Sequence, residues 1–306
     1  MKILLAGAAG QLGREIRPLL SGMGAVTAVD RLFPPDGSQG LELDLADSKT
    51  VEALLEDLRP DVIVNAAAYT AVDAAEDEPG AAYRINADFP GLLANHAASS
   101  GAFLLHYSTD YVFSGKAQKP YLESDQTGPI GVYGASKLAG EEVIAASGCR
   151  NLVVRTSWVW SGHGNNFVLT MLRLAASRSS LSVVDDQVGR PTWARNLAAA
   201  SHSMLQQALQ APNAGRLDGV YHYCDREAIS WCEFARAIFD IAAEVGLLGA
   251  TPAVTAVGSE DYPQKAQRPA YSVLDTSRTE RRFGIEPAGL RESLRTCLRE
   301  IEHARR

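Results

Sequence analysis

Tyr133 and Lys137 stand four apart in the segment Tyr-Gly-Ala-Ser-Lys, which reads as helical. Residues at that separation share one helix face. An ammonium beside a phenol lowers the phenol pKa from about 10 toward neutrality. The tyrosine can then act as a general acid or base near pH 7. The chain has six lysines and 10 tyrosines, so about 0.2 such spacings arise by chance, and context must carry the reading. That context is Leu104 to Asp110 (LLHYSTD), an apolar run that ends in hydroxyls. In open parallel sheets ligands gather at strand carboxyl ends, which lets Thr109 share an oxygen with Tyr133. Strand-end capping is the competing reading of Thr109. Another apolar run ends in Asn65-Ala66-Ala67-Ala68. Its small side chains leave room for a ribose or nicotinamide against the backbone.

A glycine-rich turn supplies the companion feature. Gly7, Gly10 and Gly13 give a GxxGxxG spacing, with Gln11 and Leu12 opening a helix. Glycine permits the tight turn and lets backbone approach a pyrophosphate, and the helix N-terminus adds N–H groups and positive dipole. A plain strand–helix turn is the alternative, but a strand precedes the motif and a helix follows it. No Gly-Lys-Ser/Thr ending is present, which disfavours a P-loop. Asp30 ends the second strand, where a carboxylate meets adenosine ribose hydroxyls and favours NAD. Arg31 follows, and either meets a 2′-phosphate or is a solvated surface charge. Asp44, beside Leu45, is placed to receive the adenine amino group or to cap the helix that follows. NADPH and NADH both remain open.

The elements that must hold these residues follow from periodicity. Strands are expected at Lys2–Ala6, Ala25–Asp30, Asp61–Asn65, Ala102–Ser108, Asn151–Arg155 and Gly219–Tyr223. Helices are expected at Gln11–Leu20, Lys49–Leu58, Ala81–Ser100, Tyr133–Ser147, Asn166–Ser177, Ala194–Leu209, Trp231–Val245 and Leu290–Arg305. Alternation at this spacing implies an α/β fold, a Rossmann-type doubly wound parallel sheet. The looser second half implies a smaller, discontinuous C-terminal substrate lobe. The expected division is 1–160 with 193–225 for the dinucleotide unit, and 161–192 with 226–306 for the lobe.

Composition sets the outer limits. The 306 residues carry a net charge of -7, which argues against nucleic-acid binding because phosphates need a basic face. No apolar run reaches the ~18 residues of a membrane span, and Gly7 and Gly10 break the N-terminal run too early for a signal peptide. Cys149, Cys224, Cys232 and Cys297 form no CxxC pair. Reduced thiols and a cytoplasmic location are therefore expected.

The glycine loop, NAAAYTAVDAAE (Asn65 to Glu76), STDYVF (Ser108 to Phe113) and YGASKLAGE (Tyr133 to Glu141) resemble the extended short-chain dehydrogenase/reductase superfamily. RTSWVW (Arg155 to Trp160), GNNF (Gly164 to Phe167), DDQVGRPT (Asp185 to Thr192) and RPAYSVLDTSR (Arg268 to Arg278) narrow the resemblance to the dTDP-4-dehydrorhamnose reductase family, over nearly the whole chain. That resemblance implies reduction of a sugar 4-keto group with NADPH or NADH. It also implies a Thr109–Tyr133–Lys137 triad. Tyr69, Thr70 and Val72 would flank the sugar and nicotinamide, with Asp110, Phe113 and Trp158 nearby. Asn166, Gln187, Arg190 and Arg268 become nucleotide-side candidates. Many relatives have a small residue where this chain has Arg190. The family is often described with Mg²⁺, for which Glu15, Asp185 and Asp186 are available carboxylates. The implied partner is a dTDP-sugar, and the implied assembly a monomer or homodimer.

Two other functions stay in view. A sugar-nucleotide dehydratase needs Asp-Glu directly after the threonine, and here Asp110 is followed by Tyr111. Epimerisation of a nucleotide sugar is not excluded by residues alone. The regulatory subunit of methionine adenosyltransferase also resembles this family and binds a dinucleotide without catalysis. It has no need of the triad.

Overall fold

The computed structural model describes residues 1–35, 39–211, 217–262 and 264–305. In chain order the first half comprises β1 (Lys2–Ala6), α1 (Gln11–Ser21), β2 (Ala25–Asp30), β3 (Leu41–Glu42), α2 (Ser48–Leu58), β4 (Val62–Asn65), α3 (Val72–Ala75), α4 (Pro79–Tyr83), α5 (Phe89–Ser100), β5 (Phe103–Thr109), α6 (Val132–Ser147) and β6 (Arg150–Thr156). The second half comprises β7 (Val159–Trp160), α7 (Phe167–Ala175), β8 (Ser180–Val184), β9 (Val188–Gly189), β10 (Thr192–Trp193), α8 (Ala194–Gln210), β11 (Gly219–His222), β12 (Ile229–Ser230), α9 (Trp231–Glu244), β13 (Ala253–Val257), α10 (Ser277–Phe283) and α11 (Leu290–Arg305).

Seven strands form one sheet in the order β3-β2-β1-β4-β5-β6-β11. Every pairing in it is parallel. The residues of β4 and β5 are all buried, as strands covered on both faces must be. Chain order reverses between β1 and β4, the position at which open α/β sheets bind ligands beyond the strand carboxyl ends. The glycine turn and the Ala66–Ala68 segment both leave the sheet there. The expected strands match the sheet to within a residue at each end. The two-residue β3, β7, β9, β10 and β12 carry too little pattern to be read, and β8 and β13, five residues each, are absent from the expected set.

The single helix expected over Ala81–Ser100 is instead three pieces. One π-helical turn, Arg84–Asp88, separates α4 from α5. Pro90 has no N–H to give the Asn86 carbonyl, and the Phe89 N–H reaches back to Arg84.

Two large cores and a smaller cluster of Val112, Phe113, Tyr121, Cys224 and Leu274 sit apart. One fills both faces of the sheet, with Leu5, Val64, Leu105, Tyr221 and Phe283 on one side and Leu4, Ile63, Leu93 and Ile144 on the other. The other joins Trp160, Trp193, Phe234, Ile238 and Leu294 beneath α9 and α11. Phe283 of α10 packs on Tyr221. Residues 277–283 thus pack on the sheet, although they lie inside the stretch expected to build only the lobe. Among the described residues no helix is long and apolar enough to cross a membrane. All four cysteines are buried free thiols, as expected.

Candidate active site

The glycine turn is shaped for backbone contact. Gly7 has φ +78, and a Cβ there would lie 2.5 Å from the Ala67 nitrogen. At Gly13 a Cβ would come within 2.0 Å of the Gly7 carbonyl oxygen. Only hydrogen fits where the helix packs onto the turn. No side chain caps the N-terminus of α1, so its first amides are available to an anion. Asp30 stands at the end of β2 and accepts from the Ala9 N–H at 2.9 Å and the Arg31 N–H at 2.7 Å. It holds the turn as well as facing the ribose position. Arg31 is exposed beside it. Asp44 is exposed and accepts from the Ala46 N–H, while Leu45 is buried in the core. These features fit a dinucleotide.

Gln11 ties this turn to the lobe. Its side-chain oxygen accepts from Ser161 and Asn166, both at 2.9 Å. Asn166 also caps α7 by accepting from the Leu169 N–H. Its amide is spent on Gln11 and the carbonyls of Ser161 and His163. The structure therefore gives Asn166 a positioning job, not the nucleotide contact expected of it.

Tyr133 lies one residue inside α6, and Lys137 follows one turn later. Thr109 ends β5, its hydroxyl bonded to the Tyr133 phenol and donating to Asp110 at 3.0 Å. The triad residues thus converge on the carboxyl end of β5. Burial pushes the Tyr133 phenol up to about 12; the Thr109 hydrogen bond opposes this, and the nearby Asp110 charge adds to it. The phenol depressed by its lysine, expected from the spacing, is not found. The ammonium is turned away, and Lys137 Nζ donates to the Tyr107 carbonyl at 2.6 Å. Burial lowers Lys137 to about 8, opposed by the Glu141 charge. Asp110 is raised by burial to about 7.

Asn86, which the sequence reading did not single out, anchors the segment before the site. It accepts from the Tyr69 N–H at 2.9 Å and donates to the Tyr69 carbonyl at 3.1 Å and the Ser136 hydroxyl at 3.0 Å. Its π-helical turn packs against Gly140, where a Cβ would meet the Asn86 carbonyl oxygen at 2.1 Å. A proline within a helical run was the only signal available.

A cavity of about 560 Å³ opens beside the triad, lined by Tyr111, Phe167, Met171, Gln187, Trp231 and Arg268. Tyr111 links it to the triad, its ring 5.6 Å from that of Tyr133. Gln187 lines it and bonds Ser259. Trp158 has φ +46, rare for a bulky residue. Its indole stacks on Trp231 at 3.5 Å, and Gly189 must lack a Cβ, which would lie 2.5 Å from that ring. Thr70 is exposed, and Val72 opens α3.

Three expectations need correction. Phe113 is fully buried and stacked on Tyr121 at 4.2 Å, a core residue and not a sugar contact. Arg190 donates to Thr276 at 3.3 Å and is absent from the cavity lining. Arg268 does line the cavity, but Asp73 holds it at 2.9 Å. Of the two expected cations, one faces the cavity, and it is already paired.

The carboxylates named for Mg²⁺ do not fit a metal. Glu15 accepts from Arg195 at 3.1 Å, and that guanidinium also grips both oxygens of Glu300, at 2.7 and 2.9 Å. A fixed cation already sits between those two carboxylates. Asp185 accepts from the Ser230 hydroxyl, and Asp186 from the Ser259 N–H and hydroxyl. Among the described residues no three potential ligands converge.

Residues 1–303 match the family model described as the RmlD substrate binding domain. The chain is 42% identical over 306 residues to a dTDP-4-dehydrorhamnose reductase of Burkholderia thailandensis, covering 98% of this chain and 99% of that one. Its fold is similar to a crystal structure of a dTDP-4-dehydrorhamnose reductase from Clostridium acetobutylicum, with TM-score 0.87, 36% identity and coverage of 99% and 100%. A Bacillus anthracis dTDP-4-dehydrorhamnose reductase in complex with NADP aligns with TM-score 0.85 and 33% identity, covering 98% of this chain and 99% of that one.

Proposed function

The chain belongs to the RmlD family of dTDP-4-dehydrorhamnose reductases, and from that membership we propose the reaction it performs. It reduces the C4 keto group of dTDP-4-dehydro-L-rhamnose to dTDP-L-rhamnose, using NADPH or NADH. The observation that carries this reading is the hydrogen bond between Thr109 and Tyr133 at the carboxyl end of β5, with Lys137 one helical turn beyond Tyr133 on α6.

Gly7, Gly10, Gly13 and the first amides of α1 hold the dinucleotide phosphates, and Asp30 with Arg31 flanks the adenosine ribose. When bound, the nicotinamide supplies the hydride to the carbonyl carbon. Thr109 turns its hydroxyl proton from Asp110 to the carbonyl oxygen of the bound sugar and aligns that oxygen with Tyr133. Tyr133 gives its proton to that oxygen as negative charge develops there. A phenol raised to about 12 keeps its proton at neutral pH, the state a proton donor needs. Lys137 places positive charge behind the phenolate that results. Tyr111, Trp158 and Trp231 wall the sugar in. Arg268 exchanges Asp73 for the diphosphate, with Gln187 beside it. The division into a dinucleotide unit and a lobe, the cytoplasmic location, and a monomer or homodimer as the working form belong to the same proposal.

The test is oxidation of NADPH or NADH by the purified protein on addition of dTDP-4-dehydrorhamnose. Tyr133→Phe removes the proton donor and is expected to lower kcat by about 10²–10⁴ with cofactor affinity retained. No turnover by the unaltered chain, or full turnover by Tyr133→Phe, would overturn the reading. In the first case a binding role like that of the methionine adenosyltransferase regulatory subunit becomes the better account.

A further inference from the structure

Behind Lys137 lies a buried chain of three polar side chains from three elements. Asn65 ends β4, His106 sits within β5 and Lys137 within α6, at 0%, 0% and 2% exposure. The Asn65 amide meets His106 Nδ1 at 3.0 Å, and His106 Nε2 lies 3.4 Å from Lys137 Nζ.

The orientation of the chain is fixed from outside it. The Ala67 backbone N–H can only donate, and it points at Asn65 at 3.1 Å. The amide oxygen must therefore be the atom it meets, and the –NH₂ end must face His106. That end can only donate, so Nδ1 presents its lone pair. Burial and the Lys137 charge keep His106 well below its ordinary pKa, so the ring is neutral and carries one proton. That proton sits on Nε2, aimed at the lysine.

A lysine that faces an N–H has one acceptor fewer than a lysine that faces a lone pair. The Tyr107 carbonyl is its close partner, at 2.6 Å. The surrounding charges do not reverse this. Glu141 favours the ammonium, but Arg155 of β6 already holds it at 2.6 Å, and the Ser108 hydroxyl donates to it as well. Tyr133 on the same helix, Asp110 beyond Thr109 and Tyr111 beside Tyr133 are further titratable groups near the site.

We propose that Asn65 and His106 are a positioning pair that sets the charge of Lys137. The Ala67 amide fixes Asn65, Asn65 fixes the Nε2–H form of His106, and that N–H makes Lys137 release its proton readily. The inference deepens the reductase reading and rests on Lys137 serving Tyr133.

The test reads the ring and the lysine directly in the full chain. Long-range ¹H–¹⁵N correlation reports which nitrogen of His106 is protonated, with His106→Gln as the assignment control. ¹³Cε labelling follows the six lysines through a pH titration, with Lys137→Met identifying the signal. Asn65→Asp keeps an acceptor for the Ala67 N–H but offers only acceptors to Nδ1. It should move the ring proton to Nδ1 and turn a lone pair toward Lys137. The expected results are Nε2–H in the unaltered protein, Nδ1–H in Asn65→Asp, and a Lys137 midpoint raised by about one pH unit in that variant.

An Nδ1–H ring in the unaltered protein overturns the proposal. So does an unmoved or lowered Lys137 midpoint in Asn65→Asp, or a raised one with the proton still on Nε2, since charge alone would then move the lysine. If Asn65→Asp does not fold, the ring of the unaltered protein decides. Neither readout needs substrate, so a chain that failed to turn over dTDP-4-dehydrorhamnose would refute the functional reading and leave this one standing.

Discussion

Asp110 separates the proton-handling residues from ordinary core. Its folded pKa is raised by burial to about 7, against an unfolded value of about 3.9. The stability tied to its neutral form is complete below about pH 4 and lost as pH climbs through about 7. Buried His222, lowered to about 3 by burial and the Arg155 charge, acts in the opposite sense and adds stability as pH rises toward about 6.5. The two trends overlap in any single melting curve, so the comparison must be made against a variant. Asp110→Asn cannot ionise, and its melting temperature should gain on that of the unaltered protein from pH 4 to pH 7, then level off. A gap that stays constant from pH 4 to pH 7 would mean that the carboxyl ionises as freely in the folded chain as in the unfolded one, and a gap that narrows would mean that folding lowers its pKa. The triad was legible from spacing because tyrosine four before lysine is a local pattern. Phe113, Asn166 and Arg190 were misjudged because a motif gives a residue's neighbours in sequence and not the direction of its side chain. His106 and Asn65 carried no local signal at all. Their partnership depends on β4 lying beside β5 in register, Asn65 opposite His106.

Among the elements, α6 carries the greatest demand, since it positions Tyr133 and Lys137 while packing against the π-helical turn. Gly140 makes that approach possible: a methyl group there would lie 2.1 Å from a backbone oxygen. Gly140→Ala should therefore push α6 from its seat, destabilising the fold by about 1–3 kcal/mol and lowering kcat with it. Thermal melts and steady-state rates on the same preparation check this. Unchanged melting and turnover would show that the turn yields. Strands and helices of the first half were readable because buried parallel strands are continuous apolar runs between helical periods. The break at Arg84–Asp88 was marked only by Pro90, which lies in the middle of the expected helix and in the first turn of α5. Pairings in the second half, such as β8 with β13, join segments far apart in sequence, which no local pattern announces.

Across the whole molecule, polar ties join stretches of chain that are far apart in sequence. Gln11 reaches the 161–166 loop, Arg268 reaches Asp73, and Lys265 pairs with Asp77. A further tie, Arg195 between Glu15 and Glu300, links α1, α8 and α11. Because a guanidinium already neutralises those carboxylates, dialysis against EDTA should leave kcat and melting temperature unchanged, and added Mg²⁺ should restore nothing. A drop on chelation, reversed by Mg²⁺, would contradict this. An anionic nucleotide calls for a local cation despite the net charge of -7, and of the two expected cations the one that lines the cavity, Arg268, is held by Asp73.

The stacked indoles of Trp158 and Trp231 have an optical consequence. Rings 3.5 Å apart and tilted by only 7° share their excited states, so their ultraviolet transitions couple and contribute a paired signal to the circular dichroism spectrum. The buried Trp160–Trp193 pair, 5.7 Å apart, adds a constant part; Trp231 forms part of the cavity wall, so a change on ligand binding reports on that wall without any label. Saturation with a thymidine nucleotide that leaves the paired signal intact marks the indoles as a rigid partition. Its collapse marks them as a hinged one.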